Sequence, residues 1–217
     1  DSTDASLKKN PSEDLIGKRR SADDKVLDGT AVNVDFNDLN HKNRLSSASQ
    51  TYPVRADACY NYGTTAVSQL CVRSNILNPA EEGLCEIEEA KTAYNSGAPV
   101  QVGNLAENPR AKDKIGFTFD ITHVGTGKVF ERDSGCDESK RTFTEKIKVK
   151  VDSRIVGLSC SGLEDKSGGI AEGTVTLTDA GKTMSCTQTI ASSGDYEFPV
   201  TITLSYDYQT TINTEIT

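Results

Sequence analysis

Ile115-Gly116-Phe117-Thr118-Phe119-Asp120-Ile121 alternates apolar with small or polar residues at period two, the pattern of a β-strand with one buried face. The signals on either side of it are also β. Residues 99–102 (PVQV) open a strand before it, and residues 123–130 (HVGTGKVF) supply a turn at Gly125-Thr126-Gly127-Lys128 and a returning strand, so that residues 117–130 read as a hairpin. Further strands are predicted at residues 146–151, 155–160, 173–177, 183–190 and 198–208, separated by turn signals such as Gly168-Gly169 and Asp179-Ala180-Gly181. Short strands at this regular spacing over residues 99–217 predict a mainly β chain with an immunoglobulin-like antiparallel sandwich. No helical pattern intervenes between them, which excludes a parallel α/β sheet.

Upstream, residues 51–98 form a cysteine-bearing β segment. Residues 51–72 (TYPVRADACYNYGTTAVSQLCV) read as two strands with a turn or bulge at Gly63, and residues 79–94 carry a short helical pattern weakened by Gly83. The six cysteines, Cys59, Cys71, Cys85, Cys136, Cys160 and Cys186, are even in number and widely spaced, with no close Cys or His pair to build half of a zinc site. Three disulfides formed in an oxidising compartment are expected, hence an extracellular or cell-surface location. Cys160 and Cys186 each fall in a predicted strand with turns between them to return the chain, so these two are expected to pair. The other four form the remaining bridges, with Cys71–Cys85 or Cys59–Cys71 both open.

Residues 1–50 read as a polar N-terminal arm. Residues 1–28 hold thirteen charges and few apolar residues, a composition that cannot bury enough surface to order itself. Residues 30–37 differ, because Val32, Val34 and Phe36 alternate with Asn33, Asp35 and Asn37 as in a half-buried strand. The polar residues 41–50 (HKNRLSSASQ) then serve as a linker of roughly 30 Å reach. The first residue is Asp rather than Met, as after removal of a leader or trimming of the chain, and export is an expectation that the first of these would fit.

With 217 residues, no Trp and 35% hydrophobic residues, the chain holds one ordinary core or two thin ones, too little for a large enzyme. The 24 basic and 32 acidic residues are interleaved, which argues against nucleic acid and anionic membrane surfaces as partners. No run of 18 apolar residues exists to span a bilayer. Catalytic motifs are missing: there is no GxSxG, no phosphate-binding glycine loop, and the two histidines are His41 in the linker and His123 beside a glycine turn. The acids at Glu81, Glu82, Glu86, Glu88 and Glu89 read as a solvated face. No enzyme activity and no cofactor are expected, with calcium as a weak candidate at Asp133, Asp137 and Glu138, and at Asp35 and Asp38, because turn carboxylates supply hard oxygen ligands. Tyr60, Tyr62, Tyr206 and Tyr208 stand at i, i+2 positions, either as strand-face packing or as a platform for sugar rings.

Residues 59–72, 97–102, 117–130 and 199–209, taken in order, resemble a loosely defined group of small archaeal envelope proteins with a cysteine-bearing β segment followed by an immunoglobulin-like domain. The resemblance covers about residues 59–216 and implies an exported β protein, without implying an activity. The expected function is that of an extracellular structural subunit of a cell-surface filament or lattice, partnered with itself through donor-strand addition of Val32, Val34 and Phe36. The alternative is an adhesin-like surface module that binds carbohydrate or protein.

Overall fold

The computed structural model describes residues 7–11, 13–17, 19–20, 25–37, 49, 51–74, 84–88, 90–191 and 194–216. Its strands in chain order are β1 (Arg19–Arg20), β2 (Val26–Leu27), β3 (Tyr52–Val72), β4 (Ala90–Lys91), β5 (Tyr94–Asn95), β6 (Val100–Ala111), β7 (Lys114–His123), β8 (Lys128–Phe130), β9 (Lys146–Asp152), β10 (Leu158–Cys160), β11 (Glu164–Lys166), β12 (Ile170–Thr176), β13 (Lys182–Thr189) and β14 (Tyr196–Ile216). No α-helix occurs among the described residues. The chain divides into two compact units, one of residues 1–54 with 214–217 and one of residues 55–213.

The larger unit is built on two antiparallel sheets. One has the order β10-β13-β7-β6-β4; the other has the order β11-β12-β9-β14-β3-β5, with β8 also paired to β14. Their inner faces share one core: Phe117, Phe119 and Ile121 from the first sheet and Leu70, Val149, Ile202 and Leu204 from the second are fully or almost fully buried. Alternation puts them there, as residues 147, 149 and 151 of β9 and 200, 202 and 204 of β14 point inward while their neighbours do not. Three disulfides join Cys59 to Cys136, Cys71 to Cys85 and Cys160 to Cys186. Cys160 and Cys186 lie directly opposite each other on adjacent strands, as expected.

Several expectations are corrected. Residues 51–72 form one 21-residue strand, not two. Gly63 is no turn: a Cβ there would lie 3.3 Å from the Leu204 carbonyl oxygen, so glycine permits a close approach of β3 to β14. The helix expected at residues 79–94 is not formed where the chain is described. Residues 84–95 run as bends and the two short strands β4 and β5, held by the Cys71–Cys85 bridge and by buried Ile87; residues 79–83 and 89 lie outside the described set. Residues 117–130 are no hairpin either, because β7 and β8 belong to different sheets. The glycine turn is a crossover pinned to Tyr208, whose hydroxyl oxygen accepts the Gly127 N–H at 2.7 Å, and side chains at Gly125 or Gly127 would strike that ring. Residues 30–37, expected to add as a strand to another subunit, carry no ladder with any of the described residues of their own chain, which leaves that expectation open.

In the smaller unit, β1 and β2 pair as a hairpin through Arg19↔Leu27 and Arg20↔Val26. Ile16 and Thr30 close it with two further bonds, from Thr30 N–H to the Ile16 carbonyl oxygen (2.9 Å) and from Ile16 N–H to Thr30 Oγ1 (2.8 Å). The tail expected to stay unordered therefore has some structure. Backbone bonds, which need no apolar burial, supply it while Leu15, Ile16 and Leu27 remain exposed.

The register of β3 against β14 follows from their side chains. Tyr62 stacks on Tyr206, Tyr60 meets Tyr208 edge-on, and Thr211 Oγ1 donates to Asp57, so one number falls as the other rises and the pair is antiparallel. This register brings Tyr52 and Ile216 to the same end of a two-stranded ribbon. Beyond Gln209, no strand among the described residues pairs with the outer edge of β14.

Candidate functional site

Three constellations concentrate polar chemistry in the larger unit. The first is the tyrosine cluster. Tyr206 is fully buried and Tyr208 nearly so, with Tyr60 and Tyr62 partly buried against them. Tyr206 Oη lies 3.3 Å from Thr64 Oγ1 and accepts the Val100 N–H at 3.3 Å, while Tyr62 donates to the Gly97 carbonyl oxygen at 3.0 Å. Burial pushes the Tyr206 phenol up to about 12. His123 Nε2 sits 3.3 Å from Tyr208 Oη, and burial holds its pKa below the usual imidazole value. The rings pack on one another and the hydroxyls meet nearby backbone groups and the side chains of Thr64, His123 and Thr210, the geometry of strand-face packing.

The second is a loop gathered on one carboxylate. Asp207 is 1% exposed and accepts from Asp133 N–H (3.0 Å), Gly135 N–H (2.8 Å), Ser134 Oγ (3.3 Å) and the Asn61 amide. Asp133, Gly135 and Cys136 take positive φ there, so the turn curls its N–H groups around the acid, and the Cys59–Cys136 bridge fixes it covalently to β3. Among the described residues, the group of three whose ligand-type atoms all come within 4.8 Å of one another is Cys59, Cys136 and Asp207, and its two sulfurs are bonded to each other.

The calcium candidates are placed separately in this neighbourhood. Asp133 Oδ1 accepts from Asn61 and Arg132. Asp137 accepts from Ser139 N–H and Oγ, which with Lys140 lowers its pKa, and Glu138 pairs with Lys128 at 2.9 Å, which lowers its own. Each carboxylate is thus directed at its own donors. Asp35 lies in the smaller unit, and Asp38, His41, Glu81, Glu82 and Glu89 fall outside the described residues.

The third constellation has no counterpart in the sequence reading: Glu107, with a side chain shielded from solvent. Both its oxygens accept the Cys71 N–H, at 2.9 and 3.2 Å, and Lys91 Nζ stands 3.8 Å away. Burial outweighs these partners and raises the carboxyl to about 7, with Glu197 adding in the same direction. A bulge turns Glu107 inward. One extra residue, Asn104 at φ 48°, is inserted between Gly103 and Ala106 of β6, so the buried positions pass from Val100 and Val102 to Leu105 and Glu107. The available signal was Gly103-Asn104, since glycine and asparagine tolerate left-handed backbone best.

The residues expected to act as a donor strand, Val32, Val34 and Phe36, lie in the smaller unit. Val32 is half-buried, whereas Val34 and Phe36 are 42% and 41% exposed. Comparison with protein-family models, with curated proteins and with solved structures returns no match.

Proposed function

We propose that this chain is an extracellular structural subunit with an immunoglobulin-like body, which assembles with copies of itself through strand addition of its N-terminal arm. One observation carries the reading. Residues 31–37 keep an alternating apolar pattern but form no ladder with the described residues of their own chain, and Val34 and Phe36 stay exposed. An alternating segment of this kind gains backbone partners and buries its apolar face when it joins an open sheet edge. The three disulfides support an oxidising, extracellular setting for the body. Because the donor and acceptor patches differ, the contact is head-to-tail and propagates into a filament or lattice.

Deleting residues 1–40 tests this. The truncated protein should keep its three disulfides and run as a monomer by sedimentation, while the full chain forms polymers visible by electron microscopy. Unchanged polymers after deletion, or a full chain that stays monomeric at high concentration, overturn the proposal.

A further inference from the structure

We infer that the acceptor for the arm is the outer edge of β14 just beyond Gln209, and that residues 33–36 of a second copy lie antiparallel along residues 210–213. The inference rests on the assembly reading above and specifies its interface.

That edge is occupied in relay by the body's own strands. β9 pairs with residues 201–205 and β8 with residues 207–209, and then the pairing stops while β14 runs on to Ile216. From Thr210 onward its backbone groups on that side have no strand partner among the described residues. The ribbon there is two-faced. Even-numbered positions continue the core face outward, with Tyr60, Ala58 and Ala56 opposite Tyr208, Thr210 and Ile212 in the antiparallel register of β3 and β14, and Ile212 is 68% exposed. Water meets an apolar strip at the place where the ladder ends.

Alternation selects the register. With Val34 opposite Ile212, Phe36 stands beside Thr210 and extends the apolar strip, while Asp35 falls opposite Thr211 on the polar face. Lys128 is opposite Gln209, on that same face and in line with the incoming strand. Asp35 would therefore sit two positions from Lys128, roughly 7 Å along the strand direction. There it joins an exposed group in which Lys128 already pairs with Glu138 at 2.9 Å and Asp57 with Thr211, so alternation sets the register and Lys128 offsets only part of the added charge. A parallel insertion would carry Asp35 toward Glu215 and away from Lys128. The Ile16–Thr30 bonds close the hairpin of the smaller unit ahead of residue 31, so it need not open for the next residues to pair. Asn33, Val34 and Asp35 would leave the cavity they line with Lys9, Asn10 and Pro11.

Full-length V34C and I212C proteins, each confirmed to hold its three native disulfides, should be mixed and allowed to assemble under mild oxidation. A disulfide joining position 34 of one chain to position 212 of another is expected in unreduced peptide maps. No such link should form when V34C is mixed with V156C, whose site is 78% exposed and follows β9 four residues after Asp152, the partner of Thr201, at the opposite end of β14 from Ile212. I212K should raise the concentration needed for assembly at least about tenfold, since it removes apolar contact at the centre of the added strand. Polymers that form normally with I212K, or a V34C protein that links to V156C as readily as to I212C, overturn the β14 acceptor while leaving arm-dependent assembly intact. A wild-type chain that never assembles overturns both.

Discussion

Replacing Glu107 with Gln should stabilise the protein above neutral pH, and the gain should vanish in acid. The Glu107 carboxyl is raised from an ordinary 4.5 to about 7 because the folded chain buries it. The folded state therefore holds a proton that the unfolded chain releases from about pH 4.5 upward, so the wild type loses stability as pH rises from 4.5 to 7. Over that interval, at about 1.36 kcal/mol per pH unit, the loss reaches about 3 kcal/mol. Gln keeps the shape and can still accept the Cys71 N–H without the buried charge. Lys91 also keeps its bond to the Glu86 carbonyl oxygen. Urea unfolding of both proteins from about pH 4 to 8.5 isolates the effect, because acids with lowered pKa such as Asp120 and Asp195 contribute equally to each. The difference should be near zero at about pH 4.5 and level off above about pH 7 at about 3 kcal/mol, equivalent to about 6–12 °C in Tm for a chain of this size. A variant less stable than wild type at about pH 8, or a difference that does not change with pH, would show that the Cys71 and Lys91 contacts offset the burial and would refute the reasoning.

Asp207→Ala should cost about 3 kcal/mol, since four donors lose their acceptor in a nearly buried site; limited proteolysis should then cut within residues 131–140 first. Removing the Cys71–Cys85 bridge, which spans 14 residues, should cost about 3 kcal/mol in urea unfolding. Tyr206→Phe should cost about 1–2 kcal/mol by leaving the Val100 N–H without its acceptor. It should also remove the phenol that ionises near 12 from an alkaline absorbance titration.

Strand positions were legible because each strand buries a single face, and the alternation at residues 115–121, 146–151 and 198–208 records which one. Pairing was less legible. Whether β8 returns to β7 or crosses to β14 depends on Gly125 and Gly127 meeting Tyr208, 81 residues beyond Gly127 in the chain. Cys160–Cys186 could be read because both residues lie in strands that return on each other. Cys59–Cys136 spans 77 residues and depends on the turn wrapped around Asp207, which has no local signature. Glu107 escaped because Asn104 shifts the alternation by one, which makes a charged residue at an apparently outward position a buried one. The glutamates at residues 86 and 88 did read correctly as exposed, although the helix expected to carry them is not formed.

The register of β3 against β14 has a mechanical meaning. Tyr52 and Ile216 share one end of the ribbon, so a pull that separates them loads the cross-strand hydrogen bonds one at a time, as in a zipper, and not all together in shear. Peeling of this kind needs little force at each step and would run inward from the tip. It stops at Cys59, where the sulfur bridge to Cys136 diverts the tension out of β3 and into the turn clasped on Asp207. A stretched molecule can therefore release the residues before Cys59 as a short elastic lead while the two-sheet body stays folded, and reduction of that single bond would remove the stop.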